Sequence, residues 1–238
     1  MGRAYEVRKA SIQKTGAIKA KLYSNYAKEI YLAAKGNPEL ETNIKLKRVC
    51  EKAKRDQVPN DIINRAIDKA KGAGTEDYQE VTYEGFGPGN STFIIKTLTD
   101  NVNRTVSFVR TAFNKVNKSL GVTNSVSYNY DYLGVLVFNS TKEEELFEEI
   151  LNSGIELVDF ENNDGEITIS CNPTDYHDVK DVIERIEPTI EYTYDEIGMF
   201  AKDEIALSNE DKEQYDKLYN MLEEIDDVTA IYTNVKED

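Results

Sequence analysis

The chain has no tryptophan, one histidine, two cysteines and five prolines in 238 residues. Each shortage removes a class of chemistry. A histidine-based triad has His177 as its single candidate. That residue sits in Thr174-Asp175-Tyr176-His177-Asp178, which reads as the first turn of a surface helix. Cys50 and Cys171 are distant in sequence and neither belongs to a ligand spacing. No disulfide framework, zinc site or other metal site is therefore expected, and a reducing cytoplasm is the expected location. No apolar run approaches the length that spans a bilayer, so no membrane partner is expected. The opening Met1-Gly2-Arg3-Ala4-Tyr5-Glu6-Val7-Arg8 is charged and lacks the apolar stretch of a secretory signal.

What is present is charge, divided unevenly. Residues 1–75 carry 17 Lys+Arg against 8 Asp+Glu, in a chain whose totals are 29 against 44. Residues 134–207 carry 4 against 20. A cluster of one sign makes a local field whatever the net charge, and a basic cluster most often meets phosphate. The plain alternative is a set of solvated, lysine-rich helices.

Apolar periodicity organises the first 75 residues as helices. Ile18, Leu22, Tyr26 and Ile30 recur every four residues, and Gly36-Asn37-Pro38 stops that helix. A second helix is expected over about 43–56, with Leu46, Val49, Cys50 and Ala53 inside. A third follows Pro59, capped by Asn60 or Asp61 and ended by Gly72-Ala73-Gly74. The pattern then turns to strands at 79–84 and 91–98, joined by Gly85-Phe86-Gly87-Pro88-Gly89-Asn90. Asp100 or Asn101 caps a helix over about 104–118, and a strand is expected near Ser125–Tyr130. From Gly134 the order reads β-α-β-β-α-β, with strands at 135–138, 155–160, 166–171 and 189–194. A last helix (209–225) and strand (228–233) supply the pair that the middle stretch lacks. The fold class is α+β: an N-terminal helical bundle and two ferredoxin-like α/β domains. Residues 1–75 form the first domain, 76–133 with 208–238 a discontinuous second, and 134–207 an inserted acidic third.

No catalytic signature stands out. Glu143-Glu144-Glu145 and Glu148-Glu149 read as the wet face of one helix. The glycine-rich turn is no Walker loop, because no Gly-Lys-Ser/Thr follows and a strand comes next. Neither an enzyme nor a cofactor is expected. The binding signal is stronger. Arg3, Arg8, Lys9, Lys14, Lys19 and Lys21 crowd one stretch, and Lys45, Lys47, Arg48, Lys52, Lys54 and Arg55 crowd one helix. Tyr5, Tyr23 and Tyr31 stand among these cations, the latter two at helix-core spacing. No base-reading motif accompanies them.

Several motifs occur together in order: Ala33-Ala34-Lys35-Gly36-Asn37-Pro38, Glu51-Lys52-Ala53-Lys54, Val58-Pro59-Asn60-Asp61-Ile62, Tyr83-Glu84-Gly85-Phe86-Gly87-Pro88-Gly89, and Leu98-Thr99-Asp100-Asn101-Val102-Asn103-Arg104-Thr105 ahead of Val109-Arg110. In these the chain resembles the YebC, or PmpR-like, family, which includes mitochondrial translational activators of cytochrome oxidase. Its start, without Trp or His, is similar to the YeeN-like branch. The resemblance implies three domains, one discontinuous. It also implies a non-enzymatic regulator of gene expression that binds DNA, or ribosomal RNA as a translation factor on the ribosome. Arg104 and Arg110, with the glycine-rich turn, extend the binding surface or set domain orientation. The acidic insert is either repelled from nucleic acid or meets a basic protein. The rivals of another class are an acidic interaction scaffold and a Mg²⁺-dependent phosphate-handling enzyme with carboxylates converging near Glu84 and Asp100.

Overall fold

The computed structural model describes residues 17–72 and 77–236. These fall into two compact units, residues 17–123 with 208–231 and residues 124–207 with 232–236.

In the first unit, α1 (Ala17–Ala34), α2 (Ile44–Arg55) and α3 (Asn60–Lys71) share one core. Tyr26, Ile30 and Ala34 of α1 meet Leu46, Cys50 and Ala53 of α2 and Ile63, Ala66 and Ile67 of α3. Gly36, at φ +90°, lets the chain leave α1 in the left-handed conformation. Asn43 then ties two helix ends together. Its amide donates to the carbonyls of Ala33 (2.7 Å) and Asn37 (2.6 Å), while its Oδ1 accepts the Leu46 N–H at 3.0 Å. Orphan groups at both helix termini are satisfied by one side chain, which fixes how α2 leaves α1.

A four-stranded sheet follows in the same unit. Strands β1 (Gln79–Phe86), β2 (Thr92–Thr99), β3 (Ser119–Leu120) and β8 (Val228–Thr233) lie in the order β3-β1-β2-β8. Helices α4 (Val102–Asn114) and α7 (Asn209–Glu223) pack on it through Phe93, Ile95, Val109, Phe113, Leu218 and Leu222. Asn101 caps α4 by accepting the Arg104 N–H at 3.0 Å, one of the two caps expected. The strand expected near Ser125–Tyr130 is not there. Residues 127–129 form a 3-10 turn, and the strand that pairs with Gly85 and Phe86 is the short β3. Asn124 adopts positive φ just before this stretch, and a turn at 123–126 runs into the 3-10 turn at 127–129, leaving no room for an extended strand there.

In the second unit, β4 (Tyr130–Asn139), α5 (Glu143–Asn152), β5 (Leu157–Asn163), β6 (Glu166–Cys171), α6 (Tyr176–Ile186) and β7 (Tyr192–Ala201) give the sheet order β5-β6-β4-β7. This is the split β-α-β order anticipated. Leu136, Phe138, Leu146, Ile150, Ile167, Ile169, Val179 and Ile183 form its core. β4 begins at Tyr130, ahead of the expected Gly134, because Tyr130–Leu133 pair with Gly198–Ala201 of a β7 that also runs further than expected. Asp164 and Gly165, at φ +53° and +93°, make the two-residue turn between β5 and β6.

The glycine-rich turn owes its composition to packing. A Cβ on Gly85 would lie 2.6 Å from Phe113 Cε1, and one on Gly87 would lie 2.4 Å from both Phe93 Cε2 and Ser91 Oγ. Gly89 sits at φ +62°. Ser91 Oγ donates to the Pro88 carbonyl at 2.7 Å and closes the turn. The loop is thus a cover for the Phe93–Phe113 pair, whose rings meet edge to face at 5.8 Å. Gly85→Ala is expected to destabilise the protein by roughly 1–3 kcal/mol through overpacking against Phe113, read as a lower urea midpoint at unchanged slope.

Candidate nucleic-acid interface

Helix α2 turns Leu46, Cys50 and Ala53 inward. That spacing of four and three residues uses up one stripe, so Lys45, Lys47, Arg48, Lys52, Lys54 and Arg55 are left in solvent, all exposed. Lys52, Lys54 and Arg55 occupy the last turn, where the helix dipole favours cations. The acid on this helix is Glu51, 4.0 Å from Lys47 with both side chains more than half exposed. Such a pair holds little of the cation's field. Among the described residues, no hydrogen bond or ion pair engages Lys45, Arg48 or Lys54. On α3, Arg65 pairs with Asp61 at 2.7 Å and Lys71 with Asp68 at 3.4 Å, pairs as exposed to solvent as the one on α2. The densest cluster of exposed cations in the helical core lies on α2. Ile44, the first residue of that helix, leaves an apolar side chain 65% exposed beside these cations.

The cations of α1 divide differently. Lys19 is exposed. Lys21 is half-buried and donates to the Glu223 carbonyl at the end of α7. Burial pushes its pKa down to about 8 against the pull of Glu223 and Asp226. It is a brace, with its charge spent inside the unit. Arg3, Arg8, Lys9 and Lys14 lie outside the described residues. Tyr31 is buried and Tyr23 donates to the Gln57 carbonyl at 3.3 Å, so neither ring is offered to a base.

Arg104 is also committed, and its partner was not foreseen. Asp227, buried in the turn before β8, accepts four hydrogen bonds. Its Oδ2 takes Arg104 Nη2 at 2.9 Å, Thr105 Oγ1 at 2.8 Å and Thr99 Oγ1 at 3.1 Å. Its Oδ1 takes Lys28 Nζ at 3.1 Å. Arg104 reaches Asp100 as well, at 2.8 Å. Burial alone would raise the Asp227 pKa. The hydrogen bonds from Arg104, Thr105 and Lys28 outweigh it and bring the pKa down to about 2. The same bonds hold the Arg104 guanidinium charged. Lys28 also donates to the carbonyls of Asp226 (3.1 Å) and Leu98 (3.4 Å).

The motif Leu98–Thr105 therefore serves to clasp α1 and the β8 turn. Thr99, Arg104 and Thr105 grip Asp227, Asn101 caps α4, and Asp100 steadies Arg104. Asn103 is exposed on the first turn of α4. Arg110 is exposed further along α4, and its charge bears on the buried Tyr83 hydroxyl, whose pKa burial raises. Phe86 lies on the surface of the glycine-rich turn, whereas Glu84 and Pro88 are buried. A cleft of about 900 Å³ opens above the clasp, with Lys21 and Lys28 on one wall and Arg104, Phe108 and Lys115 on the other. Asp100, Glu224, Asp226 and Asp227 match these cations in number, so the cleft offers no net charge to phosphate. Among the described residues no three His, Cys, Asp or Glu side chains gather as metal ligands, and no helix is long and apolar enough to cross a membrane.

Comparison with known proteins covers nearly the whole chain. The TACO1/YebC protein N-terminal domain matches residues 3–73, and the TACO1/YebC second and third domain matches residues 78–235. A probable transcriptional regulatory protein of Acholeplasma laidlawii is 45% identical over 237 residues, 99% of this chain and 98% of that protein. One of Alteromonas mediterranea is 41% identical over 235 residues, 98% of each. The crystal structure of a conserved hypothetical protein from Aquifex aeolicus superposes with a TM-score of 0.75 at 32% identity, over 94% of this chain and 92% of that one.

Asp227→Asn leaves Lys28 and Arg104 without their shared counter-charge and is expected to cost about 3 kcal/mol at neutral pH. The Asp227 pKa in the folded state lies below its ordinary 3.8, so the carboxylate's contribution is complete above that value and is lost as pH falls toward about 2. Urea titrations of both proteins across that acid range should show the stability gap closing.

Proposed function

Because the chain belongs to the TACO1/YebC family, we propose that it is a non-enzymatic regulator of gene expression that binds DNA through the solvent face of α2. Lys45, Lys47, Arg48, Lys52, Lys54 and Arg55 meet phosphates, as does the exposed Lys19; Arg3, Arg8, Lys9 and Lys14, outside the described residues, are proposed as further phosphate contacts. The observation that carries the reading is the crowding of six exposed cations on α2, of which Lys45, Arg48 and Lys54 make no hydrogen bond or ion pair among the described residues. The relatives' name, probable transcriptional regulatory protein, supports nucleic acid as the polymer. Contact is to the backbone in this reading, because dense cations replace counterions along phosphates and no base-reading motif accompanies them.

In the same reading the chain has three parts. The helical module binds, a discontinuous α/β domain carries it, and an inserted acidic α/β domain stands apart from phosphate. What supports the division is the placing of β8 beside β2, while β4 to β7 make a sheet of their own. Arg104 belongs to the carrying domain as a clasp, and Arg110 is the α4 cation left for phosphate.

Counterion release gives the test. With about five to eight phosphates neutralised, log K for duplex DNA should fall against log salt with a slope of roughly −4 to −7. Joint replacement of Lys45, Lys47, Arg48 and Lys52 by Glu should flatten that slope by about 3–4 and weaken all sequences alike. Full affinity in that variant removes α2 as the interface. Preferential binding of ribosomal RNA over duplex DNA by the wild type transfers the face to a ribosomal role.

A further inference from the structure

We propose that the free edge of β5, with the apolar groove between β5 and α5, docks an extended segment of a partner protein rich in lysine and arginine. The inference does not depend on which nucleic acid α2 meets.

β5 is the terminal strand of its sheet. Asn163 and Glu166 face each other across the two-residue turn, so they share the hydrogen-bonded pair next to it. By alternation, the backbone groups of Asn162 and Phe160 point away from β6. The Phe160 N–H donates to Asp159 Oδ1 at 3.0 Å, a cap from the neighbouring side chain that an incoming strand's carbonyl can replace. Strand edges are commonly guarded by lysine or proline. Leu157–Asn163 has neither, and the irregularity in its pairing lies between Leu157 and Asp159, which leaves Asp159–Asn163 regular.

Beside this edge runs an apolar strip. Phe147 and Leu151, one turn apart on α5, are 40% and 49% exposed. The Phe147 ring meets Phe160 of β5 edge to face at 5.1 Å. Around the strip stand Glu144 and Glu148 on α5, both exposed, and Asp159 and Glu161 on β5. Glu143 is held by the Asn162 amide. An added strand would place alternate side chains on the α5 side, over Phe147, Leu151 and Phe160, and the rest beside Asp159 and Glu161.

Charge chooses the occupant. The stretch 134–207 has 4 Lys+Arg against 20 Asp+Glu, which repels phosphate. A second copy pairing edge to edge would bring the two sets of Asp159 and Glu161 together, and like charges across a ladder are unfavourable. An extended segment with alternating apolar and basic residues satisfies the backbone, the groove and the rim at once.

The probe is a short synthetic peptide of alternating lysine and valine, titrated into the full chain by fluorescence anisotropy. A control peptide carries N-methyl groups on the amides of one edge, which removes its ladder donors without changing charge. Binding is expected to weaken about tenfold or more with the methylated peptide and with the Phe147→Lys, Leu151→Lys double variant. Amide exchange at Phe160 and Asn162 should slow when the unmodified peptide is bound. Absence of binding overturns the proposal, as does equal affinity for both peptides. So does protection of β5 amides that rises with protein concentration alone, which would make a second copy the occupant.

Discussion

One buried carboxylate holds the first unit together. Asp227 sits where the α7–β8 turn, the β2–α4 connection and α1 meet, and it accepts hydrogen bonds from Thr99, Arg104, Thr105 and Lys28. A carboxylate in that position is tolerable only when it is paired with cations and hydrogen-bonded, because an unpaired buried charge costs several kcal/mol. The surrounding motif can be understood from that requirement. Threonine at 99 and 105 supplies short, stiff hydroxyls, Arg104 supplies one Nη2 that donates to both Asp227 and Asp100, and Asn101 starts α4 where both fall within reach. Lys28 extends the grip into α1, so the helical core and the sheet are set by the same side chain.

This requirement also sorts the cations. Lys21, Lys28 and Arg104 face carbonyls and carboxylates inside the unit, and their charge is neutralised there. The α2 cations face water. A count of basic residues treats the two groups alike, yet only the second keeps a field that a phosphate backbone can feel. The unequal division of charge along the chain is therefore partly structural, and the proposed function assigns the remainder to α2.

Much of the architecture was legible in the sequence because periodicity and turn chemistry are local. Leu46, Cys50 and Ala53 mark α2 by spacing, Asn101 marks the start of α4, and Asp164-Gly165 marks a hairpin. The ferredoxin-like order from β4 to β7 followed from counting elements. The strand placed at Ser125–Tyr130 failed because its alternating residues bridge two turns, and nothing local distinguishes that from a short strand. The ends of β4 and β7 were missed for a related reason. Tyr130–Leu133 and Gly198–Ala201 are strands by virtue of each other, across a pairing that sequence spacing does not display. For the interface, the α2 cluster was readable as composition. The commitment of Arg104 and Lys21 was not, since Asp227 and Glu223 lie more than a hundred residues away. Lys28, an ordinary helix lysine by spacing, is recognisable as structural only from its three acceptors.

The central claim is that α2 carries the nucleic-acid contact while the lysines of the clasp serve the fold. Lysine-reactivity footprinting of the full chain, with and without saturating duplex DNA, separates the two directly. The account predicts that Lys45, Lys47, Lys52 and Lys54 react readily in the free protein and become protected by DNA, while Lys28 reacts slowly in both. Protection confined to Lys28, Lys115 and the cleft, with α2 unchanged, would contradict it.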